Sequence, residues 1–544
     1  MTAKKNAAEF SAEEAPRDGS LSIELESGVA DDGNTQLKRA LGARHINMIA
    51  IAGMIGTGLF LSSGQNVAKA GPVGALLGYI FMGLITSGVA YTTAEVTAFM
   101  PVSGGFVRHA TRFLEPALGA ATGWNFWYTM SISVPAEISA AATLIQFWND
   151  SINPAVFITI FLVFILAINF SGVRLYGESE VIFASLKIML IVGLIIAGLV
   201  VDLGGGPSHD RIGFRYWKNP GAFNEYLVDG VTGRFLAFWG TLVSAAFAYG
   251  NIQVVAISGT ETRDPRRIIP QATKTVFYRI LVFYVLSIFI IGLIIPYNDE
   301  GLLASSGTAA TSPFVLAFER AGIKVLPSII NAVVMTSAVS SGSACVFIAS
   351  RTLYGLSVDG LAPKWLQICN RFGTPYYAVA LTAILSPLVY LNVSNNTSTV
   401  FAWFVNITTV AGLIGWLVVE ASYLRFYYAL KVQGISRDEL PYKGPFQPYT
   451  AWATLLAVFL VIFFSGFDVF FPGNWSAATF ITCYLNIPIF AAMYIIAKFS
   501  IRSPMPSLAE ISFMPELREI SDERATWEHE DKPSVIGKMW KNIF

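Results

Sequence analysis

Apolar residues in this chain gather into long blocks rather than alternating or keeping to one helical stripe. From His45 onward the blocks reach about 20 residues, the length at which a helix crosses a hydrocarbon core of about 30 Å. Twelve transmembrane helices are predicted, at 46–67, 72–98, 117–147, 153–171, 178–202, 235–258, 273–296, 323–350, 376–392, 398–423, 450–472 and 476–498. The third and eighth exceed a perpendicular crossing, which predicts tilt or extension past the bilayer. Residues 1–44 are polar, acidic and nearly free of aromatic side chains. Such a segment cannot bury enough apolar area to offset chain entropy, so a disordered tail is expected there. It lacks the apolar core of a cleavable signal peptide, which leaves it on the cytosolic side. A second polar tail follows at 501–544.

Two of the blocks cannot be continuous helices. The stretch Ala50 to Leu61 holds Gly53, Gly56 and Gly58, and each glycine in a helix interior costs roughly 1 kcal/mol relative to alanine. A break at membrane depth strands main-chain groups at several kcal/mol each, so it is expected only where the chain lines a cavity or meets a ligand. The second interrupted block runs from Phe238 to Glu261, with Gly250, Asn251 and Gln253 in mid-span and Gly240 and Gly259 marking its ends. Breaks in the first and sixth helices predict an all-α membrane protein built on a 5+5 inverted repeat, 46–202 and 235–423. Two extra helices at 450–498 fall outside the repeat.

Charge sets the orientation. Connections assigned to the cytosol hold Arg108 and Arg112, then Arg174, then Arg263, Arg266, Arg267 and Lys274, then Arg351, Lys364 and Arg371, then Arg425, Lys431, Arg437 and Lys443. Those near Asn149, Asn392 and Asn474 hold none, although 203–234 carries a few, so both tails are expected in the cytosol. The sequons at Asn149, Asn392, Asn395 and Asn474 then fall on the outer side.

Composition narrows the function. With 54% hydrophobic and 13% charged residues the chain reads as a polytopic membrane protein, in contact with the lipid bilayer. A net charge of zero without a basic block gives nucleic acid no footing. The cysteines Cys345, Cys369 and Cys483 have no metal or disulfide spacing, and His45, His109, His209 and His529 lie at membrane edges, in loops or in a tail. Neither metal, cofactor nor enzyme is expected. Periodic polar rings of a channel pore are absent from the pattern.

Several blocks together carry a family resemblance. They are A-G-M-I-G-T-G-L-F at 52–60, A-G-P at 70–72, Ala94-Glu95 with Pro101, P-A-E at 135–137, E-T-R-D-P-R-R-I-I-P at 261–270 and S-R-T-L-Y-G-L at 350–356. On these the chain resembles the fungal amino acid permeases from Leu41 to Ser500. The resemblance implies the amino acid, polyamine and organocation superfamily, the leucine-transporter fold, and import of amino acids with protons across the plasma membrane.

A zwitterion needs separate partners for its two ends. Breaking the first helix presents amides of Gly56, Thr57 and Gly58 at a positive dipole end, suited to a carboxylate, with the Thr57 hydroxyl as a further donor. Carbonyls near Met54, and near Phe247, Ala248 and Tyr249 in the sixth helix, suit the ammonium. The competing reading is a glycine-lined helix crossing with no ligand. The resemblance points to the same main-chain groups and makes Phe247 an aromatic gate. It also marks a departure, since relatives usually carry glycine at Asn251 and often an acid at Gln253, positions that face or flank the site.

Embedded ionisable groups are the next signal, because each costs at least about 3 kcal/mol to insert. Lys187 matches the position where proton-coupled relatives keep an amine, and is expected to load and release a proton; the alternative is a stem that snorkels to the headgroups. Glu137 matches a family acid used for substrate or proton handling, against the alternative of a neutral acid bonded to a neighbouring helix. Glu95 and Glu261 are expected to pair with loop arginines such as Arg263 or Arg266, in an inner gate. Glu420 has the weakest claim. Ser337, Ser340, Ser341 and Ser343 suit close packing, and Ser341 is a candidate for the side-chain pocket.

The resulting expectation is a proton-coupled amino acid importer, with an exchanger or an amino-acid-sensing receptor of the same fold as alternatives. Neutral or broad-range substrates are favoured, because no embedded cation other than Lys187 is found for an acidic one; Arg108 is a loop cation within conceivable reach. The tails are candidate docking segments for ubiquitin-ligase adaptors, with Lys4 and Lys5 as acceptors.

Overall fold

The computed structural model describes residues 56–102, 104–149, 151–250, 252, 265–303 and 312–530. The tail 1–44, Gly53, Met54, Asn251, Gln253, Glu261 and Arg263 lie outside these residues. Among the described residues every regular element is helical.

Helix α1 (58–70) opens on a widened turn at Gly58–Ser62, then kinks at Gly71 into α2 (72–99). The φ of 72° at Gly71 suits only glycine, and a Cβ there would press on the main chain of Ala222 to Asn224. The chain continues through α3 (Phe106–Phe113), α4 (Pro116–Ile145), α5 (Pro154–Ser171) and α6 (Val173–Asp202). After a long connection come α7 (Gly230–Trp239), α8 (Leu242–Ala248), α9 (Pro265–Arg279) and α10 (Leu286–Ile294). The remainder is α11 (Leu326–Val358), α12 (Tyr376–Ala383), α13 (Thr397–Val432), α14 (Tyr449–Phe463), α15 (Ala477–Tyr484), α16 (Asn486–Ile501) and α17 (Met514–Glu530). Among the described residues eight helical stretches are long and apolar enough to cross a bilayer, and Ile280–Ile294 and Tyr449–Phe463 are shorter apolar helices. The chain is a multi-pass membrane protein.

Several boundaries differ from the sequence reading for identifiable reasons. Gly240 does not end the sixth helical block, which begins at Gly230 and is only offset at Gly240 and Thr241. Pro387 has no amide proton, and α12 gives way there to a 3-10 segment, Ser386–Val393. Pro488 cannot donate to Tyr484, and α15 and α16 part at Leu485. The tenth block extends to Val432, which puts Glu420 inside α13, where it accepts from Thr92 of α2 at 2.8 Å.

Burial sorts the helices into inner and peripheral ones. The most apolar windows of α11 and α13 are 67% buried, whereas that of Ala477–Ile501 is 17% buried and left to lipid. Against α11 and α13 packs α4, whose Ala140, Ala141 and Ala142 let main chains approach closely. Amides then cross-link the bundle: Asn125 donates to the Ala411 carbonyl at 2.9 Å, and Asn169 to Ser343 Oγ at 3.0 Å. Asn392 is buried and accepts from Ser139 at 2.9 Å, so this sequon is a packing residue rather than a surface one.

At the end of the bundle where α2 finishes, Glu95 is wholly buried and fourfold bonded. It accepts from Arg437 Nε at 2.9 Å and Nη2 at 2.7 Å, from the Gly444 amide at 2.7 Å and from the Tyr423 hydroxyl at 3.0 Å. Its arginine partner among the described residues is therefore Arg437 rather than Arg266, because the segment after α13 folds back over the end of α2; the other predicted arginine, Arg263, lies outside those residues. Arg266 instead bonds Glu519 at 2.8 Å, and Glu523, both on α17. Phe513, just before α17, is buried among Phe99, Phe113 and Phe426. Part of the second tail is thus folded onto the bundle.

Candidate functional site

Glu137 is the centre of the site. It lies on α4 one turn beyond Ser133 and two beyond Thr129, a spacing that puts all three on one face. Its Oε2 accepts from the Thr57 hydroxyl at 3.0 Å and its Oε1 from the Ser341 hydroxyl of α11 at 3.0 Å. Thr57 precedes the first turn of α1, and its carbonyl accepts from the amides of Phe60 and Leu61 at 3.0 and 2.9 Å. Gly56 is non-helical, so among the described residues the helix starts in the glycine run. The first amides of a helix have no partner within it, and that of Thr57 bonds Glu137.

The other helix end arrives from α8, which stops at Ala248. The two approach so closely that a Cβ on Gly58 would stand 2.8 Å from Ala248 Cα and 2.9 Å from the Phe247 ring. A Cβ on Gly56 would stand 2.5 Å from Glu137 Oε1. Glycine at both positions is what allows α1, α4 and α8 to meet. Gly250 donates to the Phe247 carbonyl at 3.1 Å, closing a tight turn, so that carbonyl is already engaged.

Between these ends lies a partly open cavity with about 50 Å³ of room for the centres of water-sized molecules. Gly56, Gly58, Glu137, Phe247, Ala248 and Ser341 line it, as do Thr129 and Ser133 of α4, Cys345 of α11, and Thr408, Thr409 and Trp416 of α13. The Phe247 ring meets Phe401 edge to face, with centroids 6.1 Å apart. Tyr249 turns away instead: its hydroxyl donates to the Tyr79 carbonyl at 2.9 Å and its ring packs on Tyr284. Lys187 does not line the cavity. It is buried on α6 and faces Glu180 of the same helix, with Nζ 3.8 Å from Oε1. Arg108, the loop cation, forms a two-pronged pair with Asp359, at 3.0 Å from Nε and 2.5 Å from Nη2.

Beyond Glu137, sequence reasoning missed the wall supplied by Thr129 and Ser133 of α4 and by α13. The signal was available as a spacing of four: Thr129, Ser133 and Glu137 on one helix, Ser337, Ser341 and Cys345 on another, and Thr408, Gly412 and Trp416 on a third. Polar and small residues repeated at that interval in an apolar helix mark one inward face. Glu180 was missed because it stands near a loop, where an acid needs no explanation.

The family model for amino acid permeases matches residues 45–510. The chain belongs to the amino acid permease family. Its relatives include the proline-specific permease of Emericella nidulans, 41% identical over 94% of each chain. The lysine-specific permease of Saccharomyces cerevisiae is 40% identical, over 93% of this chain and 83% of its own. A solved mutant of the manganese transporter from Eremococcus coleocola shares the fold, with a TM-score of 0.51 and 13% identity over 90% of this permease and 99% of that chain.

Proposed function

We propose that this permease imports amino acids across the plasma membrane by proton symport with alternating access. The framework is twelve spans: inverted repeats at 46–202 and 235–423, two further spans at 450–498, and both tails in the cytosol, where ubiquitin-ligase adaptors dock. One observation carries the reading. The start of α1 and the end of α8 face a single cavity in which Thr57 and Ser341 hold the carboxylate of Glu137.

The amides of Gly56, Thr57 and Gly58 attract a substrate carboxylate through the helix dipole, and main-chain carbonyls at the end of α8 receive its ammonium. That carboxylate lies beside Glu137. Two like charges about 5 Å apart repel by about 3 kcal/mol at an effective dielectric of 20. A proton on Glu137 removes the repulsion and converts the acid into a donor. Proton and substrate then strengthen each other's binding by the same factor, which is the linkage a symporter needs. Phe247 covers the substrate, and Lys187 is the second proton-handling group. Glu261 belongs to the inner gate, and Met54 and Asn251 complete the binding set. Among the described lining residues hydroxyls and one acid are present and no cation, which supports neutral amino acids over acidic ones. Relatives named for proline and for lysine stand at nearly equal identity, so likeness alone does not choose between them.

Uptake of labelled L-proline, L-lysine and other common amino acids into permease-deficient cells tests this. Accumulation is expected to collapse with a protonophore, and Lys187→Met is expected to abolish accumulation while retaining substrate binding. Accumulation indifferent to both treatments overturns symport.

A further inference from the structure

Resting on the symport reading above, we propose that Glu180 is a positioning residue for coupling, tying the buried Lys187 to the cavity acid Glu137 through the Ser340–Ser341 pair of α11. Lys187 and Glu180 stand two turns apart on α6, both almost fully buried, with Nζ and Oε1 3.8 Å apart. Glu180 Oε2 accepts from Ser340 Oγ at 2.8 Å. The next residue, Ser341, points about 100° further round α11 and donates to Glu137 at 3.0 Å. Glu137 in turn accepts from Thr57 at the start of α1. Two adjacent hydroxyls on one helix thus grip two acids on two other helices, one acid in the cavity wall and one outside it.

The chemistry argues against a purely structural pair. Buried ion pairs seldom stabilise a fold more than apolar residues of the same size. Here Glu180 is also incompletely bonded, since its Oε1 has no hydrogen-bond partner and meets Lys187 at ion-pair distance. The groups around it are Tyr176 on α6, Cys345 and Arg351 on α11, and Glu137 on α4. A change in charge at Glu137 is therefore transmitted to the Lys187–Glu180 pair by movement of a helix that both acids hold. A substrate that reaches Glu137 without its proton leaves the pair locked, and the return of the unloaded carrier stays separate from that of the loaded one.

The test uses the full-length permease in permease-deficient cells, with labelled L-proline and L-lysine as probes and membrane abundance measured alongside. Glu180→Gln keeps the side chain's shape and its acceptor for Ser340 but removes the carboxylate charge that faces Lys187. It is expected to lower accumulation at least about tenfold while exchange of internal for external substrate persists. Glu180→Asp is expected to recover part of the accumulation, and Ser340→Ala, which keeps the ion pair, to lose part of it. The double variant Glu180→Gln/Lys187→Met removes both charges; restored membrane abundance without restored accumulation supports the proposal. Restored accumulation in the double variant means the pair serves only the fold, and overturns it. Accumulation by Glu180→Gln equal to that of the wild type, with the wild type still sensitive to a protonophore, overturns this inference and leaves the symport reading standing. A wild type insensitive to the protonophore overturns both.

Discussion

Gly58→Ala is expected to reduce uptake between about tenfold and a hundredfold while the protein still reaches the membrane. The added methyl group meets the Ala248 main chain at 2.8 Å and the Phe247 ring at 2.9 Å. A main-chain neighbour cannot turn aside as a side chain can, so α1 and α8 must separate. Overpacking of this kind costs about 1–3 kcal/mol, and each 1.4 kcal/mol is a factor of about ten in an equilibrium. Gly56→Ala is the internal control. Its new atom meets chiefly Glu137 Oε1, the end of a side chain rather than main chain. A smaller loss is expected there, with the maximal rate affected through Glu137 rather than through separated helices. Uptake kinetics for the two variants at equal membrane abundance distinguish them, and equal losses would contradict the close approach at Gly58.

Glu137→Gln is expected to separate binding from coupling. Glutamine fits the same space and keeps partners for Thr57 and Ser341, because each hydroxyl both donates and accepts. It is also permanently neutral, like the protonated acid. Substrate therefore binds without a proton, and exchange is expected to remain within about threefold of wild type while accumulation falls at least about tenfold. The pH dependence follows in sign: wild-type uptake rises as external pH falls, because protons fill Glu137, and the variant loses that rise. Uptake rates at a series of external pH values, with internal pH clamped, check it. A variant with an unchanged pH profile removes Glu137 from the coupling step.

Glycine and charge made much of this legible from residues alone. The run around Gly56 and Gly58 predicts a break in a membrane helix; α1 begins at Gly58, and the part of that run before Gly56 lies outside the described residues. Gly250 announces the second, and α8 ends two residues earlier. Glu137 stands out because an acid at membrane depth demands a reason. What stayed hidden depends on pairing between distant segments. In the sequence Glu95 gives no sign of choosing Arg437 over Arg266, since both arginines read there as loop residues and only the return of the chain after α13 brings one of them near. Phe513 reads as one apolar residue in a polar tail, yet three aromatic rings of the bundle bury it. Glu180 is unremarkable in the sequence until Ser340 and Lys187 are seen on either side of it.

Cys345 offers the most direct measurement, because it lines the same cavity as Glu137 and Phe247. With Cys369 and Cys483 replaced by serine, Cys345 is the single thiol left in the chain, and its alkylation by a small membrane-permeant reagent can be timed with and without a transported amino acid. Protection is expected to appear with the transported amino acid, to be half-maximal near the concentration that half-saturates uptake, and to be absent with an amino acid that is not carried. Unaltered alkylation in a variant that still transports would place the substrate somewhere other than between the ends of α1 and α8.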